Sequence, residues 1–302
     1  MNTLEHIHRE LPGRCSAGVP LAGLCTWHIG GPAALLAEPA SVEELQRLMH
    51  LLADSDLPWW LIGNGSNLLF PDAGFPGVVI RLAGDLARFR FDGTRLIAGA
   101  AAPVGSLARA AAREGLSGLE FLVGIPALLG GALRMNAGAH GCETATTVRR
   151  VLTLNRAGVL TWHSVEELGF GYRQCHGLEN RIAVEAELEL VPAPEEVVAG
   201  RTREYNRYRQ ETQPLRDWTC GSVFKRPAPE CYPGKLIEDA GMKGFRLGGI
   251  QVSPVHANFF VNLGEGTAAQ VLELVDIVSR AVFEHSGIRL EKEFHIMATP
   301  NE

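Results

Sequence analysis

Residues 59–67 read WWLIGNGSN, a short apolar run that passes directly into a loop with two glycines. The large apolar side chains predict a strand, and the glycines let backbone N–H groups approach an anion closely. Just upstream, Ser41 and Glu44 have the spacing of a capping box at the start of a predicted amphipathic helix. Residues 78–82 predict a second strand. The start of the chain is therefore expected to form a compact β-α-β-β unit.

The rest of the chain mixes predicted helices and strands without regular β-α-β alternation. Residues 88–98 predict a hairpin around an Asp-Gly turn, and residues 181–190 alternate between inward apolar side chains and outward glutamates that include Glu187. Residues 267–286 have a capping box, an apolar stripe and a terminal glycine, which together predict a long helix. Residues 288–297 predict a final strand. This arrangement favours an α+β fold over a doubly wound sheet.

The composition argues against several classes of protein. A chain with 46% hydrophobic and 21% charged residues is typical of a globular protein, and its net charge of −6 does not favour nucleic-acid binding. The Arg-rich stretch 201–209 contains Glu204 and is interpreted as a solvated helix face. The uncharged stretch 15–37 is interrupted by prolines and glycines, so it predicts no membrane helix. The N-terminus lacks the apolar core of a signal peptide, which predicts a cytoplasmic protein.

The six cysteines, at positions 15, 25, 142, 175, 220 and 231, form no C-x-x-C pair. No set of Cys and His residues has zinc-site spacing either. His6 and His8 stand close together but are interpreted as ordinary surface residues. We therefore expect free thiols in a reducing compartment and no metal site.

Four further segments contain residue types that could carry chemistry. Residues 124–139 place glycine clusters around apolar residues, which suits either a flat ring with a pyrophosphate or a tightly packed loop. Arg173 stands beside aromatic residues, where a guanidinium can bind a carboxylate through two hydrogen bonds. Ser222 lies outside any nucleophile elbow but could supply a proton. Glu291 and Glu293 share one face of the predicted final strand. Taken alone, each segment is explained as well or better by a structural role.

Taken in order, the motifs resemble those of the UDP-N-acetylenolpyruvoylglucosamine reductase family over nearly the whole chain, from about Leu21 to Met297. The matching segments are residues 26–33, 63–69, 74–80, 118–121, 134–141, 167–173, 213–215, 221–225, 236–241, 256–259 and 290–294. So many matches in one order make the resemblance specific. The spacing from Arg173 to Ser222 resembles the shorter class of the family, which lacks an extra substrate-covering loop.

The resemblance implies an α+β fold with a two-part FAD-binding region of the vanillyl-alcohol-oxidase-like (PCMH) type and a C-terminal α+β substrate domain. We place the two FAD-binding subdomains at residues 1–84 and 85–194 and the substrate domain at residues 195–302. The resemblance also implies FAD and NADPH as cofactors and a UDP-sugar as substrate. The implied reaction reduces the enolpyruvyl group of UDP-N-acetylglucosamine enolpyruvate to UDP-N-acetylmuramate, a step in peptidoglycan synthesis. We expect a monomer that binds no nucleic acid and does not enter the membrane.

Carried over by motif, the resemblance implies Arg173, Ser222 and Glu293 as the catalytic set. Arg173 is expected to hold the substrate carboxylate, Glu293 to orient it, and Ser222 to protonate the α-carbon. The implied FAD-binding residues are Gly63, Asn64, Gly65, Ser66, Asn67, Gly124, Ile125, Pro126, Gly130, Gly131, Asn136, Ala137 and Gly138. The implied substrate-binding residues are Lys225, Arg226 and Asn258.

The chain departs from the family pattern at two places. Residues 127–129 read ALL where the family usually has a small hydroxyl residue and a glycine, which removes a side-chain hydrogen bond to the FAD phosphate. Arg226 stands where the family commonly has Asn, so the position offers donors but no acceptor. Two alternatives stay open. One is a flavin-linked oxidoreductase with another substrate, and the other is a nucleotide-sugar binding protein without flavin. The presence of Arg173, Ser222 and Glu293 argues against the first, and the departure at Leu128 motivates the second.

Overall fold

The computed structural model of the protein describes residues 3–297. The helices are α1 (Thr3–Glu10), α2 (Val42–Ala53), α3 (Val104–Arg113), α4 (Leu129–Arg134), α5 (Val165–Leu168), α6 (Glu195–Thr212), α7 (Pro233–Asp239) and α8 (Ala268–Ser286). The strands of the first half are β1 (Cys15–Pro20), β2 (Pro32–Ala37), β3 (Trp59–Ile62), β4 (Leu68–Leu69), β5 (Phe75–Arg81), β6 (Phe89–Asp92), β7 (Arg95–Gly99), β8 (Leu116–Ser117), β9 (Gly138–Ala139) and β10 (Cys142–Glu143). Those of the second half are β11 (Val148–Asn155), β12 (Leu160–Ser164), β13 (Phe170–Gly171), β14 (Gln174–Cys175), β15 (Arg181–Glu189), β16 (Val191–Pro192), β17 (Arg246–Leu247), β18 (Ile250–Val252), β19 (Phe260–Asn262) and β20 (His295–Ile296).

The chain divides into two compact units, each built from separate stretches of sequence. The first unit contains residues up to 17, 35–64 and 77–208, and the second contains residues 18–34, 65–76 and those from 209 onward. The loop 63–67 thus begins in the first unit and ends in the second. The mixed helices and strands confirm the predicted α+β class, whereas the three-part division of the chain stays a prediction.

The start of α2 confirms part of the predicted helix cap. The Ser41 hydroxyl accepts the N–H of Glu44 at 3.2 Å. The Glu44 carboxylate accepts the N–H of Ala40 at 2.7 Å, so the second half of the predicted capping box is not formed here. Next in the chain, β3 pairs in parallel with β5, with Trp59 opposite Val78. These strands belong to a four-stranded sheet of order β1-β2-β5-β3.

A five-stranded antiparallel sheet of order β12-β11-β15-β7-β6 forms the larger sheet of the first unit. The predicted hairpin is present as β6 and β7, with Asp92 opposite Arg95. Glu187, which the alternation predicts to face outward, is only 6% exposed. Arg150 donates two hydrogen bonds to its carboxylate, at 2.8 and 2.6 Å, and lies 4.4 Å from the ring centre of Trp162. The paired guanidinium holds the pKa of Glu187 below its usual value.

The second unit contains the helix that the sequence predicted most clearly. The Thr267 hydroxyl accepts the N–H of Gln270 at 3.2 Å, and the Gln270 side chain accepts the N–H of Thr267 at 3.3 Å. Gly287 ends α8 with a left-handed φ of 73°. The buried stripe of this helix consists of Ala268, Val271, Leu274, Val275, Val278 and Val282. In contrast, the predicted strand 288–297 is regular only at its end, where β20 pairs in parallel with β4.

Candidate functional site

In the second unit, three predicted segments lie side by side. The Asn67 carboxamide donates to the Glu293 carbonyl at 3.1 Å, which joins the end of the predicted flavin loop to a predicted catalytic residue. The Glu293 N–H donates to the Val223 carbonyl at 2.8 Å, and the Lys225 N–H donates to the Glu291 carbonyl at 2.8 Å. These main-chain bonds place the Ser222 segment alongside the Glu293 segment. The second unit therefore brings two of the three predicted catalytic residues together.

Asn258, a predicted substrate residue, lies on the other side of the Ser222 segment. Its carbonyl accepts the Val223 N–H at 2.8 Å, and Ser222 forms an isolated antiparallel bridge with Phe259. Both polar atoms of the Asn258 side chain bond to Phe224: Oδ1 accepts its N–H at 3.0 Å and Nδ2 donates to its carbonyl at 2.9 Å. The side chain is buried. Its carboxamide is therefore engaged by the protein itself.

The two predicted cationic substrate residues follow directly along the chain. The Lys225 ammonium group lies 2.5 Å from the Glu291 carboxylate, which is itself exposed. Arg226 is exposed, and its guanidinium lies 4.6 Å from the ring centre of Tyr232 and donates to the Pro229 carbonyl at 3.4 Å. Exposed ion pairs contribute little free energy, about 0–1 kcal/mol. Lys225 is thus able to exchange Glu291 for an anionic ligand at small cost.

Cys220 is a neighbour of this group that motif spacing did not indicate. Burial raises the pKa of its thiol well above the usual value, and the negative charge of Glu293 adds to the shift. The Glu293 carboxyl group therefore lies close to an un-ionised thiol. Cys25 is also buried, and burial likewise raises its pKa. Neither thiol has the lowered pKa of a reactive cysteine.

Gly65 is fixed by close packing inside the second unit. Its φ is 60°, and an added Cβ would lie 2.2 Å from the Leu24 carbonyl oxygen and 2.6 Å from the Cys25 Cα. Only glycine fits such a contact. The Gly65 carbonyl also accepts the N–H of Thr26 at 3.4 Å. The backbone at this position is therefore held firmly without a side chain of its own.

In the first unit, the two glycine-containing segments predicted to bind FAD lie next to each other. The Asn64 carboxamide donates to the Pro126 carbonyl at 3.0 Å. An added Cβ at Gly63 would lie 3.8 Å from Leu128. Leu128, which belongs to the ALL sequence that differs from the family pattern, therefore borders the segment that begins at Gly63. Leu129 is fully buried and begins α4. The unusual ALL sequence thus replaces a hydroxyl by apolar packing and leaves the glycines in place.

Arg173 occupies a strained turn that is anchored to the second predicted FAD segment. It lies between β13 and β14 with a positive φ of 57°, which is uncommon for a residue other than glycine. Its guanidinium donates to the Gly138 carbonyl at 3.2 Å. Asn136, also at a positive φ of 40°, donates from its carboxamide to the Gly171 carbonyl at 3.0 Å and accepts the Ala145 N–H at 3.0 Å. These bonds hold the Arg173 turn against residues 136–138.

Arg209 was included in the predicted solvated helix face, and in this respect the interpretation is wrong. Its Nε is buried without a hydrogen-bond partner in the described part of the chain, and burial lowers the pKa of its guanidinium. The Gln213 carboxamide oxygen, one helical turn later, is also buried and unpartnered among residues 3–297. Arg209 stands four residues before Gln213, the first residue of the Gln-Pro-Leu motif. This helical spacing is the sequence signal that could have distinguished Arg209 from the other arginines of the stretch.

The residues present fit FAD. In the second unit the Thr26 hydroxyl, on the residue that bonds to Gly65, is buried and has no partner among the described residues. Such an atom usually has a partner, so a ligand with polar groups suits this position. In the first unit an added Cβ at Gly131 would meet nothing within 4 Å, which leaves open space beside the first turn of α4. Gly63 and Asn64 of the first unit, and separately residues 65–67 of the second unit, have backbone N–H groups of the kind that suit phosphate and ring oxygens.

A cleft of about 420 Å³ lies elsewhere in the first unit, against the outer face of the five-stranded sheet. It is lined by Arg95, Arg149, Arg150, Trp162, His163, Ser164 and Glu187. Each of its guanidinium groups is paired with a carboxylate, of Asp92, Glu189 and Glu187 respectively. The cleft contains none of the predicted site residues, and we interpret it as part of an ion-pair network. Within residues 3–297, no cluster of His, Cys, Asp or Glu side chains has the makeup of a metal site.

Comparison with known proteins gives the family. The family model of an FAD binding domain matches residues 33–163. The family model of the UDP-N-acetylenolpyruvoylglucosamine reductase C-terminal domain matches residues 213–297. The reductase of that name from Heliobacterium modesticaldum is 42% identical over 97% of this chain and 94% of its own length. The chain belongs to the UDP-N-acetylenolpyruvoylglucosamine reductase family. The Bacillus subtilis member is 37% identical over 97% of this chain and 99% of its own.

Solved structures agree with this assignment. The reductase of this family from Thermus caldophilus is 40% identical, has a TM-score of 0.81, and matches over 93% of this chain and 98% of its own. A berberine bridge enzyme variant, 13% identical with a TM-score of 0.50 over 64% of this chain, shares the fold alone. The predicted family and the predicted flavoprotein fold are confirmed. In the described part of the chain, the helices are too short or too polar to cross a bilayer.

Proposed function

We propose that this protein catalyses the NADPH-dependent, FAD-mediated reduction of UDP-N-acetylglucosamine enolpyruvate to UDP-N-acetylmuramate, for peptidoglycan synthesis. Membership of the reductase family over nearly the whole chain supports this reaction over the two alternatives. The structural observation that carries it is the pairing of the Ser222 and Glu293 segments, through the bond from the Glu293 N–H to the Val223 carbonyl. It puts a hydroxyl and a carboxyl group on neighbouring segments of one unit.

FAD held by the predicted FAD-binding residues would supply hydride chemistry at the β-carbon of the enolpyruvyl group, with NADPH as the source of the two electrons. Negative charge then develops on the α-carbon and its carboxylate. Arg173 is proposed to bind that carboxylate, because a guanidinium offers two parallel donors and always carries its charge. Its strained turn supports this role, since strain of this kind is concentrated at functional sites. A preorganised cation of this kind stabilises the charge that appears in the transition state.

The chain then has to deliver one proton to the α-carbon. Ser222 is proposed to donate it from Oγ and to recover a proton from solvent afterwards. Glu293 is proposed to orient the substrate carboxylate from the neighbouring segment. Lys225, with its exposed partner Glu291, is proposed to turn to the diphosphate of the UDP-sugar. Arg226 follows Lys225 directly, and Asn258 bonds to Val223 and Phe224 just before it.

Two half-reactions test the proposal. Ser222→Ala should reduce its flavin with NADPH at the normal rate, because no proton donor to the substrate is needed in that step. Addition of the enolpyruvyl UDP-sugar should then fail to reoxidise the flavin. Normal reoxidation by the substrate would remove Ser222 from the mechanism. Protein that cannot be reconstituted with FAD would instead support the binding protein without flavin.

We also propose that the protein acts as a monomer in the cytoplasm, with NADPH and the UDP-sugar as its small-molecule partners. Light scattering of the FAD-loaded protein at micromolar concentration measures its mass and so tests whether it is a monomer. A mass of about 33 kDa is expected from the 32.7 kDa chain. A mass near twice that value would contradict it.

A further inference from the structure

Both polar atoms of the Asn258 side chain form hydrogen bonds to the backbone of one residue, Phe224. Its Oδ1 accepts the Phe224 N–H at 3.0 Å, and its Nδ2 donates to the Phe224 carbonyl at 2.9 Å. Asn258 is 4% exposed and Phe224 is 1% exposed. Water cannot easily replace either bond at such depth, and buried backbone groups without partners are strongly disfavoured. The pair therefore functions as a clamp on the Phe224 peptide groups.

We infer that Asn258 is a positioning residue that fixes the direction of the Ser222 hydroxyl, and not a residue that binds the substrate. The inference rests on the proposed role of Ser222 as proton donor. Asn258 holds two consecutive residues after Ser222, because its carbonyl accepts the Val223 N–H at 2.8 Å while its side chain holds Phe224. Ser222 itself bridges to Phe259, the residue after Asn258. The backbone that carries the hydroxyl has little freedom left.

Asn258 is in turn held by the turn that precedes it. Its N–H donates to Nδ1 of His256 at 3.2 Å, and the Ser253 hydroxyl accepts the N–H groups of Val255 and His256 at 3.2 and 3.4 Å. Ser253 is fully buried. Asn258 can position Phe224 only if its own backbone is rigid, and these hydrogen bonds in the preceding turn supply that rigidity.

Asn262 provides a matched control in the same unit. It is also buried, at 6% exposure, and its carboxamide is also bonded to backbone groups only. It donates to the Trp27 carbonyl at 2.9 Å and accepts the N–H groups of Gly264 and Gly266 at 2.9 and 2.8 Å. Replacing Asn262 removes the same chemistry from a different loop. A general loss of stability would therefore affect both variants, whereas a loss of positioning at Ser222 would affect one.

The experiment compares Asn258→Ala, Asn258→Asp and Asn262→Ala as FAD-loaded proteins. Asn258→Ala should slow reoxidation of the flavin by the enolpyruvyl UDP-sugar about 10- to 100-fold, the effect of a misplacement of about 1 Å. Reduction by NADPH should be normal, and the loss should appear in kcat with KM nearly constant. Asn258→Asp keeps the acceptor for the Phe224 N–H and should lose less. Asn262→Ala should keep the normal reoxidation rate.

Amide hydrogen exchange gives a readout that does not depend on turnover. Asn258→Ala should lose protection at the Phe224 amide, and Asn262→Ala should retain it. A raised KM with normal kcat in Asn258→Ala would assign the residue to substrate binding and overturn the inference, as would normal protection at Phe224. If Ser222→Ala reoxidises normally, the proposed function fails. If Ser222→Ala is inactive while Asn258→Ala reoxidises normally, only the positioning role fails.

Discussion

The two units hold their predicted site residues by different means. In the first unit, Arg173 and Asn136 stand at positive φ angles, and their side chains bond to the carbonyls of Gly138 and Gly171. In the second unit, Ser222 and Glu293 belong to extended segments that pair through main-chain hydrogen bonds. The Arg173 turn depends on unusual backbone conformations, and the pairing of the Ser222 and Glu293 segments depends on a few buried side chains that complete it. Substitutions should therefore affect the two units in different ways.

The largest effect is expected at Gly65. Gly65→Ala would put a Cβ 2.2 Å from the Leu24 carbonyl oxygen at a residue with φ of 60°. We expect a loss of about 4 kcal/mol in the free energy of unfolding, at the upper end for a single substitution. Gly131→Ala is the control, because its Cβ would meet nothing within 4 Å in a helical position. That change should be neutral or stabilising by up to about 1 kcal/mol. Urea unfolding measures both, and equal losses would contradict the packing argument.

Substitution of Arg173 should lower the activity without lowering the stability. Arg173→Gly removes the proposed carboxylate ligand, so turnover should fall about 100- to 1000-fold, the cost of losing one preorganised donor to developing charge. The same change relieves the positive φ of 57° and should leave stability equal or raise it by about 1 kcal/mol. Steady-state kinetics and urea unfolding are the two measurements. A stability loss as large as that of Gly65→Ala would show that the turn is not strained.

A smaller effect is expected at Asn67. Asn67→Ala removes the hydrogen bond to the Glu293 carbonyl, so the second unit should lose about 1 kcal/mol of stability. Asn64→Ala, which removes the corresponding bond to the Pro126 carbonyl in the first unit, is the matched comparison. Asn64 is exposed and should contribute less. Equal losses in urea unfolding would mean that the two halves of the loop are held equally.

The smallest effect is a pH dependence from His256. Burial, with the positive charge of Lys243 as a smaller cause, lowers its pKa from the usual 6.5. The unfolded chain therefore binds a proton at His256 more readily than the folded one. Its contribution to stability is complete above pH 6.5 and is lost as the pH falls through the lower folded-state pKa. The stability of His256→Gln should fall less between pH 7 and pH 5, as measured by urea midpoints.

Exposed His285 provides the control for that measurement. His285→Gln removes an imidazole that is not buried, and its urea midpoints are measured over the same pH range. If His256→Gln and the unmodified protein have parallel profiles, the buried imidazole does not contribute to the pH dependence.

The parts of the fold that local patterns control were predicted well. The capping box at Thr267 and the terminal Gly287 define α8 as the structure has it, since helix ends are set by side chains within one turn. The hairpin around residues 92–95 is present for the same local reason. The strand at residues 288–297 was mostly wrong. Residues 291–293 of this stretch pair with residues 223–225, which are distant in sequence, so alternation alone could not show where regular pairing ends.

The sequence by itself determined the family, the flavoprotein fold and the residues most suited to the chemistry, because these follow from residue type and order. Only the tertiary structure decided which polar groups are already used. Asn136 and Asn258 look like ligand residues in the sequence, but both carboxamides are bonded to the backbone of neighbouring segments. Hydrogen bonds of this kind depend on burial and on segments far apart in the chain. Local pattern carries no information about either.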